Sequence, residues 1–140
     1  MTVYHCTWTR LVDRIYKQGL RTMQASNWKI ASNGTRYGSG AIFAFASKWD
    51  AIRWAAKMDW QFYGRHATGE VTILTLEHEG PWITDDADPL TQAQCEGPWL
   101  KTYHHIPGAA ITDADLLTQD MVKALVKRVN QPQLARIEGK

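Results

Sequence analysis

Two rhythms of apolar residues run along this chain, one of period two and one near 3.6, and they divide it into strands and helices. Residues 2–7 alternate around Val3 and Tyr4, which predicts a short strand. Thr7 or Thr9 can cap the next segment, where Leu11, Val12, Ile15 and Tyr16 recur at helical spacing and Gly19 supplies the stop. Between residues 21 and 40, Ser26, Asn27 and Asn33-Gly34 mark a long loop, and long loops in compact domains are usually functional or mobile. Ala41 to Ala46 is apolar without interruption, the pattern of a strand buried on both faces. Ser47 followed three residues later by Asp50 has the form of a capping box. Behind it Ala51, Trp54, Ala55 and Met58 make one helical stripe that ends near Gly64.

Glu70 to Glu77 alternates and is rich in β-branched residues, which makes it the clearest strand of the chain. Asp85, Asp86, Asp88 and Pro89 mark a loop, and Trp99 to His104 reads as a further strand stopped by Pro107-Gly108. Thr112-Asp113 predicts the cap of a final helix carrying Leu116, Leu117, Met121, Leu125 and Val129, with a frayed tail after Gln131. The order is strand, helix, loop, strand, helix, strand, strand, helix. Parallel α/β folds need more regular alternation, so the expected class is α+β. One domain is expected over residues 1–130, followed by a flexible tail over 131–140.

A chain of 140 residues can bury one real core but not comfortably two. A hydrophobic content of 44% and a charged content of 21% exclude overall disorder. The net charge of +2 is too small to announce nucleic acid or an acidic membrane surface. No stretch approaches the roughly 18 apolar residues of a membrane span, and Met1-Thr2-Val3-Tyr4-His5 lacks the regions of a signal peptide. Cys6 and Cys95 do not make a disulfide framework, so a reduced, cytoplasmic setting is the expectation. Seven tryptophans, at 8, 28, 49, 54, 60, 82 and 99, are the unusual feature. Each offers a flat apolar face and one N–H donor, which suits a core or a ring-stacking site equally. Trp28, in a polar stretch, is the one expected to be exposed.

Candidate chemistry gathers in three places. Tyr4-His5-Cys6-Thr7 stands first, then Ile15 and Gly19-Leu20. Next comes Gly38-Ser39-Gly40-Ala41-Ile42-Phe43-Ala44-Phe45, with Ser47-Lys48 and Ala51 behind it. The third place is Gln94-Cys95-Glu96-Gly97-Pro98-Trp99-Leu100, trailed by Ile106-Pro107-Gly108 and Ile111. In order and spacing these segments resemble the ADP-ribosyltransferase superfamily, in its His-type branch of poly-ADP-ribose polymerase-like and diphtheria-toxin-like enzymes. RNA 2′-phosphotransferases share that architecture. The group carries His, a small residue and Ser or Thr on a first strand, then a Gly-x-Gly-Ile-Tyr-Phe-Ala-like motif leading into a Ser-led helix, then a glutamate on a late strand. The resemblance covers residues 3–60 clearly and 70–111 loosely. Ile42 or Phe43 falls where the group has its strand tyrosine, and Pro98 stands where the acid is usually set directly beside an aromatic strand residue.

The resemblance implies a split, mostly antiparallel sheet with flanking helices and a cleft between its halves. It implies transfer of ADP-ribose from NAD to a protein or nucleic-acid acceptor, with loss of nicotinamide. His5 and Thr7 would orient the dinucleotide, and Cys6, Gly40, Phe43 and Ser47 would complete its pocket. Trp54 is the first choice for packing on the nicotinamide ring and Trp49 the second. Glu96 would act with His5 as the catalytic pair.

The chemistry suits those residue types. A strand-borne histidine can donate a ring N–H to a ribose hydroxyl while a neighbouring acceptor fixes its other nitrogen. Glycines at 38 and 40 let backbone approach a flat ring closely. A carboxylate at the point where positive charge develops stabilises an oxocarbenium-like transition state. Small transferases of this kind suit bacterial toxins or phage anti-defence proteins.

Each residue taken alone also has a plainer reading: His5 as a structural histidine, the glycines as a loop before a strand, and Trp54 as core. Cys6 faces away from His5 and Thr7 on a strand and reads as buried filler. Asp85-Asp86-Ala87-Asp88 reads as a solvated loop, and His104-His105 would point to opposite faces of a strand. No zinc-ligand spacing is present. Lys123, Lys127, Arg128 and Arg136 read as a solvated basic face. Two other functions stay open. One is a 2′-phosphotransferase-like activity on RNA; the other is an inactive fold used as a binding module or inhibitor of a host protein, with Trp28 and Trp82 as interface anchors.

Overall fold

A computed structural model describes residues 1–22, 40–62, 70–85, 93–118, 120, 121 and 124. Trp28, Gly38, Asp86, Asp88, Leu125, Val129, the four basic residues near the C-terminus and the tail 131–140 lie outside the described residues.

The first strand, β1 (Thr2–Trp8), alternates between the two faces of a sheet. Val3 joins the core on one side, while Cys6 and Trp8 join the core on the other. A short 3-10 turn at Thr9–Leu11 leads into α1 (Val12–Gln18), which buries Ile15. Gly19 ends α1 at φ 76, donating its N–H to the carbonyl of Ile15 at 2.7 Å. With ψ at −179, this is a positive-φ helix stop that glycine allows at little cost. Gly40 also has a positive φ, 89, two residues before β2 (Ile42–Phe45). Ser47 opens α2 (Lys48–Phe62), its Oγ accepting the Asp50 N–H at 3.3 Å, and Ala51 and Ala55 are wholly buried as the stripe predicts. Strands β3 (Val71–Glu77), β4 (Ile83–Thr84), β5 (Trp99–Thr102) and β6 (Ile111–Leu117) complete the described chain.

The fold is α+β, one six-stranded sheet in the order β4-β5-β2-β1-β3-β6 with every neighbouring pair antiparallel. β1 and β3 pair along seven residues, whereas β1 and β2 share the single register pair Tyr4↔Phe45. The sheet is therefore two three-stranded halves meeting at a narrow seam. On one side α2 covers Cys6, Trp8, Phe45, Val71, Ile73 and Trp99. On the other, Ile15 of α1 meets Val3, Ile42, Leu74, Leu76 and Ile106. Among the described residues no helix is long and apolar enough to cross a membrane.

The structure corrects the sequence reading at the C-terminal end. Ile111–Leu117 is not the start of a helix but strand β6, paired with β3 along its length. The two aspartates disfavour a strand locally. However, β3 is a nearly fully buried strand, and its outer edge would otherwise carry a row of unpaired N–H and C=O groups. Tertiary pairing overrides propensity here. Asp120, Met121 and Ala124 are helical, and the cap moves from Thr112 to Thr118, whose Oγ1 accepts the Met121 N–H at 3.3 Å. Leu116 points outward, about half exposed, instead of joining a helical core stripe. The fifth strand also ends at Thr102, so His104 and His105 lie in the exposed turn beyond it and not on opposite faces of a strand.

Candidate functional site

His5 sits at the seam between the two half-sheets, partly buried, with its Nδ1 2.6 Å from the carbonyl oxygen of Phe43. A carbonyl can only accept, so Nδ1 carries the proton. Burial holds the His5 pKa below its ordinary value, against a smaller opposing effect of the Phe43 hydrogen bond, and so favours the neutral ring. In that tautomer Nε2 is an acceptor. The expected role of donating a ring N–H to a ribose hydroxyl therefore reverses: His5 can receive a hydroxyl proton in a hydrogen bond. Thr7 lies on the same face two residues on and is 1% exposed.

Glu96 occupies the loop that leads into β5 and is exposed. Its Oε2 accepts a hydrogen bond from Ser47 Oγ at 2.9 Å. The same hydroxyl receives the Asp50 N–H, so Ser47 both caps α2 and orients the glutamate. Asp50 is 2% exposed, and its two oxygens accept the backbone N–H groups of Glu96 and Gly97 at 3.0 Å each. Arg53 Nη1 donates to the Gln94 carbonyl at 3.1 Å, and the Ala46 N–H donates to Pro98 at 3.3 Å. His5 is thus held at Phe43 and Glu96 at Ser47 and Asp50. One short segment, the end of β2 and the first turn of α2, carries both.

Other candidates fall elsewhere. Cys6 alternates to the α2 side, where its Sγ donates to the Ala51 carbonyl at 3.0 Å. Burial pushes its thiol well above the ordinary range, so the filler reading fits it better than a place in the pocket with His5. Trp54 also lies on the α2 side, its ring centroid 6.0 Å from Phe45 and 5.0 Å from Trp99. The structure does not bring it to the face of His5 and Thr7. Phe43 enters through its backbone carbonyl, its side chain facing the α2 side by alternation. Gly40 lies at the entry to β2 near the Thr22 carbonyl.

Trp82 is half-buried, its Nε1 donating to the His78 carbonyl at 3.0 Å and its ring set edge-on to His78. Asp85 departs from the solvated-loop reading: it is buried, 3.8 Å from Lys101 Nζ, with its N–H bonded to the Trp99 carbonyl. Among the described residues no three His, Cys, Asp or Glu side chains are grouped to hold a metal ion. Asp50 was missed as a site residue. Its signal was a carboxylate on the same helical stripe as Ala51 and Trp54, where a charge needs buried partners.

The architecture and this seam define a small α+β protein with a split antiparallel sheet and a pinned histidine. No family profile and no curated protein matches the chain. Among solved structures its fold is similar to that of EcPltA, with a TM-score of 0.57 and 19% identity over 84% of this chain and 75% of that one. At that identity the likeness is one of fold.

Proposed function

We propose that this protein transfers ADP-ribose from NAD to a macromolecular acceptor. The observation that carries the reading is that one segment, Phe43 to Asp50, holds both residues: His5 through the Phe43 carbonyl at the seam, and Glu96 through Ser47 and Asp50 at the start of α2. The neutral His5 ring offers Nε2 to a ribose hydroxyl of the dinucleotide, with Thr7 beside it. Gly40 leaves the backbone open where β2 begins. Glu96 supplies negative charge as the bond between the ribose C1′ and the nicotinamide nitrogen breaks. Nicotinamide leaves with that electron pair, the acceptor nucleophile forms the new bond to C1′, and its proton passes to solvent. Trp54 has no part in this scheme, because the packing that engages it lies on the other side of the sheet.

The test is nicotinamide release from NAD, with and without candidate protein and RNA acceptors, by the wild type, Glu96→Ala and His5→Ala. Release by the wild type that falls at least about tenfold in each variant supports the proposal. No release, together with no thermal shift on adding NAD, favours the inactive binding fold. Release that survives Glu96→Ala removes this residue from the mechanism while keeping the enzyme.

A further inference from the structure

A carboxylate at the third position of a helix usually turns back to the N–H of the capping residue. Asp50 does not. Both of its oxygens point away from the helix to Glu96 and Gly97, residues 46 and 47 positions later in the chain. The side chain is buried, so the two N–H groups are charge-assisted donors to an anion shielded from water. Ser47 closes the arrangement, receiving the Asp50 N–H and donating to the Glu96 carboxylate. One hydroxyl thus orients the Glu96 side chain while the neighbouring carboxylate fixes its backbone.

We propose that Asp50 is a positioning residue that sets the Glu96 loop for transfer; this rests on the reading of Glu96 as the group that supports the transition state. Of the ties that hold residues 94–98, those to Arg53 and Ala46 grip the ends of the loop, whereas Asp50 grips its centre. A glutamate on an exposed loop would otherwise sample many positions. The buried Asp50 restricts it to one, so binding energy need not order the loop at each turnover.

The test compares the full-length wild type with Asp50→Asn, a near-isosteric change that places an amide donor against one of the two N–H groups. Amide exchange over residues 93–98 and nicotinamide-release kinetics are measured on both. Exchange at Glu96 and Gly97 should quicken at least about tenfold. The kcat should fall about 10- to 100-fold while KM for NAD stays within about twofold. If Asp50→Asn does not fold, Asp50→Glu, which keeps the charge but lengthens its reach, gives the same readouts. Unchanged exchange overturns the proposal, as does a folded variant with wild-type kcat and only a lower melting temperature. A wild type that releases no nicotinamide overturns the transfer reading instead, and the exchange result then decides by itself whether Asp50 holds the loop.

Discussion

Replacing His5 with glutamine removes a titrating imidazole from the seam and leaves a neutral polar side chain in its place. Burial lowers the His5 pKa from 6.5 in the folded chain, whereas the unfolded chain keeps the ordinary value. Below that value the unfolded histidine takes up a proton that the folded ring refuses. The unfolded state then binds more protons, so stability falls as the pH falls. The contribution is intact above 6.5 and is lost progressively towards the lower folded value. At about pH 5.5 the unfolded side chain is protonated roughly tenfold over, so the loss reaches at most about 1.4 kcal/mol. Urea unfolding of wild type and His5→Gln at about pH 7.5 and about pH 5.5 isolates this term, because the other titrating groups are common to both. Wild type should lose more stability than the variant over that interval. Parallel pH dependences would refute both the buried neutral ring and the acceptor role assigned to Nε2.

Four further outcomes are expected. Gly108→Ala should lower stability by about 1–3 kcal/mol in urea unfolding, since an added Cβ overlaps the Tyr16 carbonyl and lies 3.1 Å from that of Ile15. Gly97→Ala should stay within about 0.5 kcal/mol, its Cβ meeting Ala46 at an ordinary 3.4 Å. Trp54→Phe should cost about 1 kcal/mol by loosening the contacts with Phe45 and Trp99, yet leave any NAD-induced thermal shift unchanged. In native protein a thiol reagent should label the partly exposed Cys95 and spare Cys6 until the chain unfolds, as mass spectrometry of the labelled peptides can check.

Most elements were legible because their patterns are strong and local. β1, α1, β2, α2 and β3 follow from alternation, an apolar run, a Ser-led stripe and glycine stops. The two-residue β4 is too short to leave a periodic signal, and its place is set by pairing with β5. At the site, His5 and Ser47 were readable as strand and cap residues. Their partners were not, because a carbonyl at Phe43 and backbone N–H groups at Glu96 and Gly97 belong to every residue type and leave no mark in a sequence. Asp50 had a mark, but the capping box explained it with a partner three residues away.

Alone, the sequence determined the class of the fold, the faces of its main elements and which side chains can carry charge or accept a proton. These depend on periodicity and residue chemistry, which act over a few neighbouring residues. Only the tertiary structure decided that β6 completes the sheet, that Trp54 and His5 lie on opposite sides of it, and that His5 presents an acceptor. It also decided that Asp50 grips the Glu96 loop. Each of these rests on hydrogen bonds or packing between segments far apart in the chain, where pairing a buried backbone group outweighs local preference.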